Sequence, residues 1–146
     1  RFNTSFGGGT LREVVSWKPK ETALFDHLKS LYIEDLNWSK DCYSHHDCYS
    51  ELLKCDIELK CRNKHYDDLV IEKYKYDKLM SRADKYSTIA VYICQTPKGI
   101  YGFNLSKLDE PDWFIKGMPK TSHFSQRQFV DKEVGMLHID LAKFYK

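Results

Sequence analysis

From Lys54 to Arg62 the chain alternates between ionisable and apolar side chains. Lys54, Asp56, Glu58, Lys60 and Arg62 take one parity, and Cys55, Ile57, Leu59 and Cys61 take the other. Successive side chains of an extended backbone point to opposite faces. The spacing therefore predicts a strand with its apolar face on a core and its ionisable face outward. Glu58 and Lys60 then lie side by side. Asp47 stands eleven residues before Glu58, at the start of the preceding candidate strand. A hairpin between the two strands would bring Asp47 near Glu58. Two carboxylates and one lysine at a strand end suit phosphodiester hydrolysis. Carboxylate oxygens are hard donors for Mg²⁺ or Mn²⁺. A cation there polarises a phosphate and lowers the pKa of its bound water. The lysine orients or activates that water and offsets charge developing on the phosphate. A plainer account fits the same residues: a sheet with one wet face, on which Glu58 and Lys60 form a weak surface ion pair.

The flanking elements must position this set. Residues 1–18 read as an irregular arm, and the glycine run Gly7-Gly8-Gly9 has no strand ahead of it to make a phosphate loop. A helix is expected from near Pro19, with Leu24, Phe25, Leu28, Leu31 and Tyr32 on one stripe. Glu21 falls on that stripe at the helix start, either as a surface group or as a site residue. Short strands are expected at 36–43 and 47–53, followed by the alternating strand 54–62. Residues 64–68 read as a connection, and Leu69-Val70-Ile71 as a short apolar run. A second helix over about 73–85 would bury Tyr76, Leu79, Met80 and Ala83. The run Ile89 to Cys94 predicts a strand covered on both faces. Thr96-Pro97-Lys98-Gly99 then turns it back into Ile100 to Leu105 as a hairpin. Residues 106–146 are too apolar for a disordered tail and read as an appendage packed on the domain, its aromatics in the core and Lys116 to Phe124 a loop with basic groups. The expected class is α/β with a central sheet.

Asp47 followed by Asp56-Ile57-Glu58-Leu59-Lys60 resembles the acid … acid-x-Lys signature of the PD-(D/E)XK nucleases. The element order is similar to theirs as well. The segments 69–76 and 96–101 look like those of small phage-type members. The resemblance covers residues 19–105 and implies a restriction-endonuclease-like core: helix, three-stranded meander, helix and two further strands. It implies that Asp47 and Glu58 hold the metal, that Lys60 is the catalytic lysine, and that the Leu59 carbonyl and Glu21 complete the ligand set. The cofactor would be Mg²⁺ or Mn²⁺. His46, not proline, precedes Asp47, and Asp41 is a rival first acid if the hairpin register differs. Arg62, Lys64, Lys73 and Lys75 would follow the phosphate backbone without reading sequence. His65 lies beside them. The implied partner is nucleic acid, DNA foremost, with a homodimer or a larger phage-encoded complex as the open assemblies.

Composition constrains this reading without supplying it. Hydrophobic residues at 42% and charged residues at 30% permit a globular core. A net charge of +2 is too small to argue for nucleic acid by bulk electrostatics. Five cysteines make an odd count, which suits a reducing, cytoplasmic setting better than a disulfide framework, the host cytoplasm if the chain is phage-encoded. No apolar run approaches the length of a membrane span, so no membrane association is expected. Two rival functions stand beside the nuclease. One is a zinc module built from Cys42, His45, His46, Cys48, Cys55 and Cys61, which lacks a CxxC pair. The other is a non-catalytic nucleic-acid-binding or assembly module.

Overall fold

The computed structural model describes residues 20–40, 47–119 and 128–145. The expected arm over 1–18 lies outside them. So do Asp41, Cys42, His45, His46 and residues 120–127.

The described chain is mixed α/β, with two helices and a mixed sheet. Helix α1 covers Glu21–Leu31 and is followed by strands β1 (Asn37–Trp38), β2 (Asp47–Ser50), β3 (Cys55–Cys61) and β4 (Asp68–Glu72). Helix α2 covers Lys73–Tyr86. Strands β5 (Ile89–Thr96), β6 (Gly99–Asn104), β7 (Phe114–Pro119), β8 (Phe129–His138) and β9 (Lys143–Tyr145) complete the order. Six strands form one sheet in the order β1-β2-β3-β5-β6-β9, and β4-β8-β7 form a second. Within the larger sheet only β3 and β5 run parallel.

That one parallel pair explains most of the architecture. Parallel neighbours cannot be joined by a tight turn; the chain must cross over a sheet face. Here the crossover is β4 with α2, and α2 settles on the face that carries the even-numbered side chains of β3. Leu79 and Ala83 of α2 pack with Ala90, Tyr92, Cys94 and Phe103 on that side. On the other face Leu24, Phe25 and Leu28 of α1 pack against Ile57, Leu59, Ile93 and Ile100. The Phe25 ring stacks on Trp38 at 4.1 Å between centroids. Each fully buried Leu or Ile contributes about 1.5–3 kcal/mol, so both faces of the sheet are substantially held.

The expected outward orientation of the ionisable face is overturned. Asp47, Asp56 and Glu58 are buried. The alternation is the one predicted from sequence, but β3 is a central strand and its charged face lies beneath α2. Several other expectations are revised. Leu31 and Tyr32 are exposed at the end of α1 and leave its apolar stripe. Leu69-Val70-Ile71 is strand β4, paired with β8. Lys116 to Pro119 is strand and not loop, and Phe114 and Phe129 are exposed. The hairpin at 96–99 stands, with Thr96 opposite Gly99. Gly99 has φ 152°, a conformation that favours glycine. Residues 106–145 supply β7 and β8 beside β4, and β9 at the edge of β6. Among the described residues, no helix is long and apolar enough to cross a membrane.

Candidate active site

Hairpin register brings the two predicted acids together. Asp47, the first residue of β2, lies directly opposite Glu58. The Asp47 carbonyl accepts from the Ser39 N–H at 3.0 Å, so its polar backbone is turned toward β1 and away from β3. Asp47 and Glu58 therefore form a non-hydrogen-bonded antiparallel pair, the kind in which facing side chains come closest. Both are nearly inaccessible, at 2% and 3% exposure. Asp41, the alternative first acid, lies outside the described residues.

Three cations of α2 descend on this pair. Lys75, Lys78 and Arg82 fall at i, i+3 and i+7, one face of a helix. Lys75 Nζ is 3.6 Å from Glu58 Oε2. Lys78 Nζ is 3.0 Å and Arg82 Nη1 3.4 Å from Asp47 Oδ2. These are charge contacts without hydrogen-bond geometry: neither Asp47 Oδ2 nor Glu58 Oε2 has a hydrogen-bond partner. Buried carboxylate oxygens in that state are costly.

The environments of the two acids differ in sign. Burial pushes the Glu58 carboxyl well above its usual range, and the hydrogen bond and charge of Asp47 push it further; Lys75 and Lys78 offset only part. Burial also works against an Asp47 charge, but the close approach of Glu58 and Lys78 and the Arg82 charge outweigh it and hold that carboxyl below its usual range. Glu58 thus favours its protonated form and Asp47 its ionised form, and the two titrate together.

Lys60 follows Glu58 on the same face, about 7 Å along the strand. Burial, with the nearby Arg62 and Lys75 charges, lowers its pKa; Glu21 and Glu72 pull the other way. A lysine held toward its neutral form is suited to take a proton from water. Glu21 sits at the start of α1 and its Oε2 accepts from the Cys61 N–H at 3.0 Å. Among the described residues no three His, Cys, Asp or Glu side chains converge as a metal-binding group. The Leu59 side chain is buried in the α1 core. The Arg62 N–H reaches the Gln95 carbonyl of β5. By alternation the Leu59 carbonyl points to the opposite edge, the one where the Cys61 N–H meets Glu21.

The proposed phosphate track is scattered. Arg62 donates to the Val70 carbonyl at 3.0 Å and is tied into the join between the sheets. Lys64 is exposed. Lys73 pairs with Asp77 at 2.6 Å and lies 5.6 Å from the Trp113 ring centroid. Only Lys75 reaches the acid pair. His65 bridges Thr96 Oγ1, at 2.8 Å, and Asp67 Oδ1, at 3.1 Å. Sequence reasoning missed Lys78 and Arg82. Their spacing from Lys75 was the available signal, but without the crossover nothing said which sheet face that stripe would meet.

Cys48, Cys55, Cys61 and Cys94 are free thiols. Burial raises the pKa of each, Cys55 to about 11 and Cys61 to about 12. The remaining members of the zinc set lie outside the described residues. Comparison with known proteins returns no similarity: no family model, no curated protein and no solved structure matches this chain.

Proposed function

We propose that this chain is a metal-dependent nuclease with a restriction-endonuclease-like core and a PD-(D/E)XK-type site. One observation carries the reading. Two buried carboxyls, adjacent by register and shifted in opposite directions, stand beside a lysine of lowered pKa. Helix α1, strands β1 to β3, strand β4 of the second sheet, helix α2 and strands β5 and β6 follow in chain order, which supports the reading.

The donor set fits Mg²⁺ or Mn²⁺, which takes one or two carboxylates and completes its shell with water and phosphate oxygens. Asp47 and Glu58 would hold it, with the Leu59 carbonyl as a further oxygen. Such an ion supplies positive charge at the phosphate and acidifies a bound water. Lys60, whose burial favours the neutral form, would accept a proton from the attacking water. Lys75 and Lys78 balance the negative charge gathered on this face. Arg82 holds Asp47 in its ionised form.

The test is cleavage of supercoiled plasmid and of single-stranded DNA with Mg²⁺, Mn²⁺ or EDTA, beside Lys60→Ala. Metal-dependent cutting should fall at least about a hundredfold in the variant, as expected for a lost proton-transfer group. Equal cutting by both proteins would refute the assignment. A second reading, a non-catalytic nucleic-acid-binding module, is favoured by one feature: Lys75, Lys78 and Arg82 already neutralise the acid pair. On that reading both proteins bind DNA and neither cuts it.

A further inference from the structure

A cleft of about 770 Å³ opens along the flank of α2 where β2 turns into β3, and it meets the acid pair through Arg82. Tyr49, Lys54, Asp56, Arg82, Tyr86 and Thr88 line it. Arg82 belongs to both places, since it also approaches Asp47 at 3.4 Å. Tyr49 lies two residues from Asp47 on the same face of β2, about 7 Å away. We infer that this cleft receives one unpaired nucleobase of the substrate strand, with the base's own phosphate directed toward Asp47 and Glu58.

The lining supplies what an unpaired base needs. Tyr49 and Tyr86 offer ring surface for stacking, which every base can use. Tyr86 is 52% exposed, and Lys85 Nζ lies 5.2 Å from its ring centroid, leaving the other ring face for stacking. Asp56 is opposite Tyr49 in the register and belongs, like Asp47 and Glu58, to a close, non-hydrogen-bonded pair. One Asp56 carboxylate oxygen accepts from the Thr88 hydroxyl. That bond fixes the carboxylate, and its second oxygen can accept from a base N–H, as acidic side chains do from the amino group of cytosine. Lys54 is exposed and carries positive charge matching a backbone phosphate, while Arg82 joins the cleft wall to Asp47. A base inside a duplex exposes only its edges. Ring stacking in this cleft therefore requires a single strand or a locally opened one.

This inference rests on the nuclease reading only for the direction of the phosphate. The experiment is therefore done in EDTA, with no cleavage. A short fluorescein-labelled single strand and the matching duplex are titrated by anisotropy against the whole protein and against Tyr86→Ala, Tyr49→Leu and Asp56→Asn. Circular dichroism melts run beside them to check folding. Loss of one stacked base predicts single-strand affinity reduced by roughly ten- to a hundredfold in Tyr86→Ala, with duplex affinity nearly unchanged. Asp56→Asn keeps the Thr88 bond and should alter the preference among homopolymer strands. Unchanged single-strand affinity in folded Tyr86→Ala and Tyr49→Leu overturns the inference. So does an equal loss on duplex and single strand. Binding that maps to the cleft in a protein that never cuts leaves this site standing and removes the nuclease. Metal-dependent cutting with no effect of the tyrosines does the reverse.

Discussion

Glu58→Gln should stabilise the metal-free protein at neutral and alkaline pH. The wild-type side chain is buried against Asp47, and its carboxyl is raised far above the ordinary value of 4.5. The folded state therefore binds this proton more tightly than the unfolded state does. Stability conferred by the proton is complete below the ordinary carboxyl range. It is lost as pH climbs from there to the raised value. One proton changes stability by at most about 1.4 kcal/mol per pH unit. Between about pH 5 and pH 7 the ceiling is thus about 3 kcal/mol. Lys75 and Lys78 favour the charged form but leave the net shift upward, so a gain approaching that ceiling is expected at neutral pH. Glutamine keeps the shape and the hydrogen-bonding capacity but cannot ionise. The assay is urea unfolding in EDTA at a series of pH values, for wild type and variant. The two curves should converge near pH 5 and separate as pH rises, with Glu58→Gln the more stable. Parallel pH dependences would refute the raised Glu58 carboxyl, and so would a variant that is weaker at every pH.

Asp47→Asn should act in the opposite direction. It leaves Lys78 and Arg82 near an uncharged group, and with Lys78 partly solvated the loss should be about 2–3 kcal/mol by the same unfolding assay. Mg²⁺ should raise the melting temperature of the wild type by an amount that grows with pH, because the ion must displace the proton that Glu58 holds. Calorimetry in two buffers of different ionisation enthalpy would detect the released proton, and none should be released by Glu58→Gln. Gly135→Ala should destabilise by about 1–3 kcal/mol: an added Cβ would stand 2.6 Å from Pro111 Cβ and 3.0 Å from the Trp113 ring. A lowered melting temperature with unchanged DNA affinity would show that this effect belongs to β8 packing.

The sequence alone determined the local parts. Alternation from Lys54 to Arg62 defined β3 and put Glu58 and Lys60 on one face, because extended backbone has a period of two. Helical spacing picked out Tyr76, Leu79 and Ala83, all of them buried. The turn at Pro97 and Gly99 fixed the hairpin of β5 and β6. Tertiary structure decided what those parts face. Parallel pairing of β3 with β5 links residues about thirty positions apart, and no local pattern encodes it. It obliges the chain to cross over, and the crossover lays α2 on the charged side of β3. The same ionisable stripe that local pattern predicts to be wet is thereby dry. Lys75, Lys78 and Arg82 become its counter-ions, and an ordinary pair of acids becomes one whose members are shifted in opposite directions. The cleft beside Tyr49 and Tyr86 arises in the same way, from the end of α2 meeting the turn between β2 and β3. Spacing sets which side chains share a face; only packing sets the dielectric around them and the charges across from them, and those govern their chemistry.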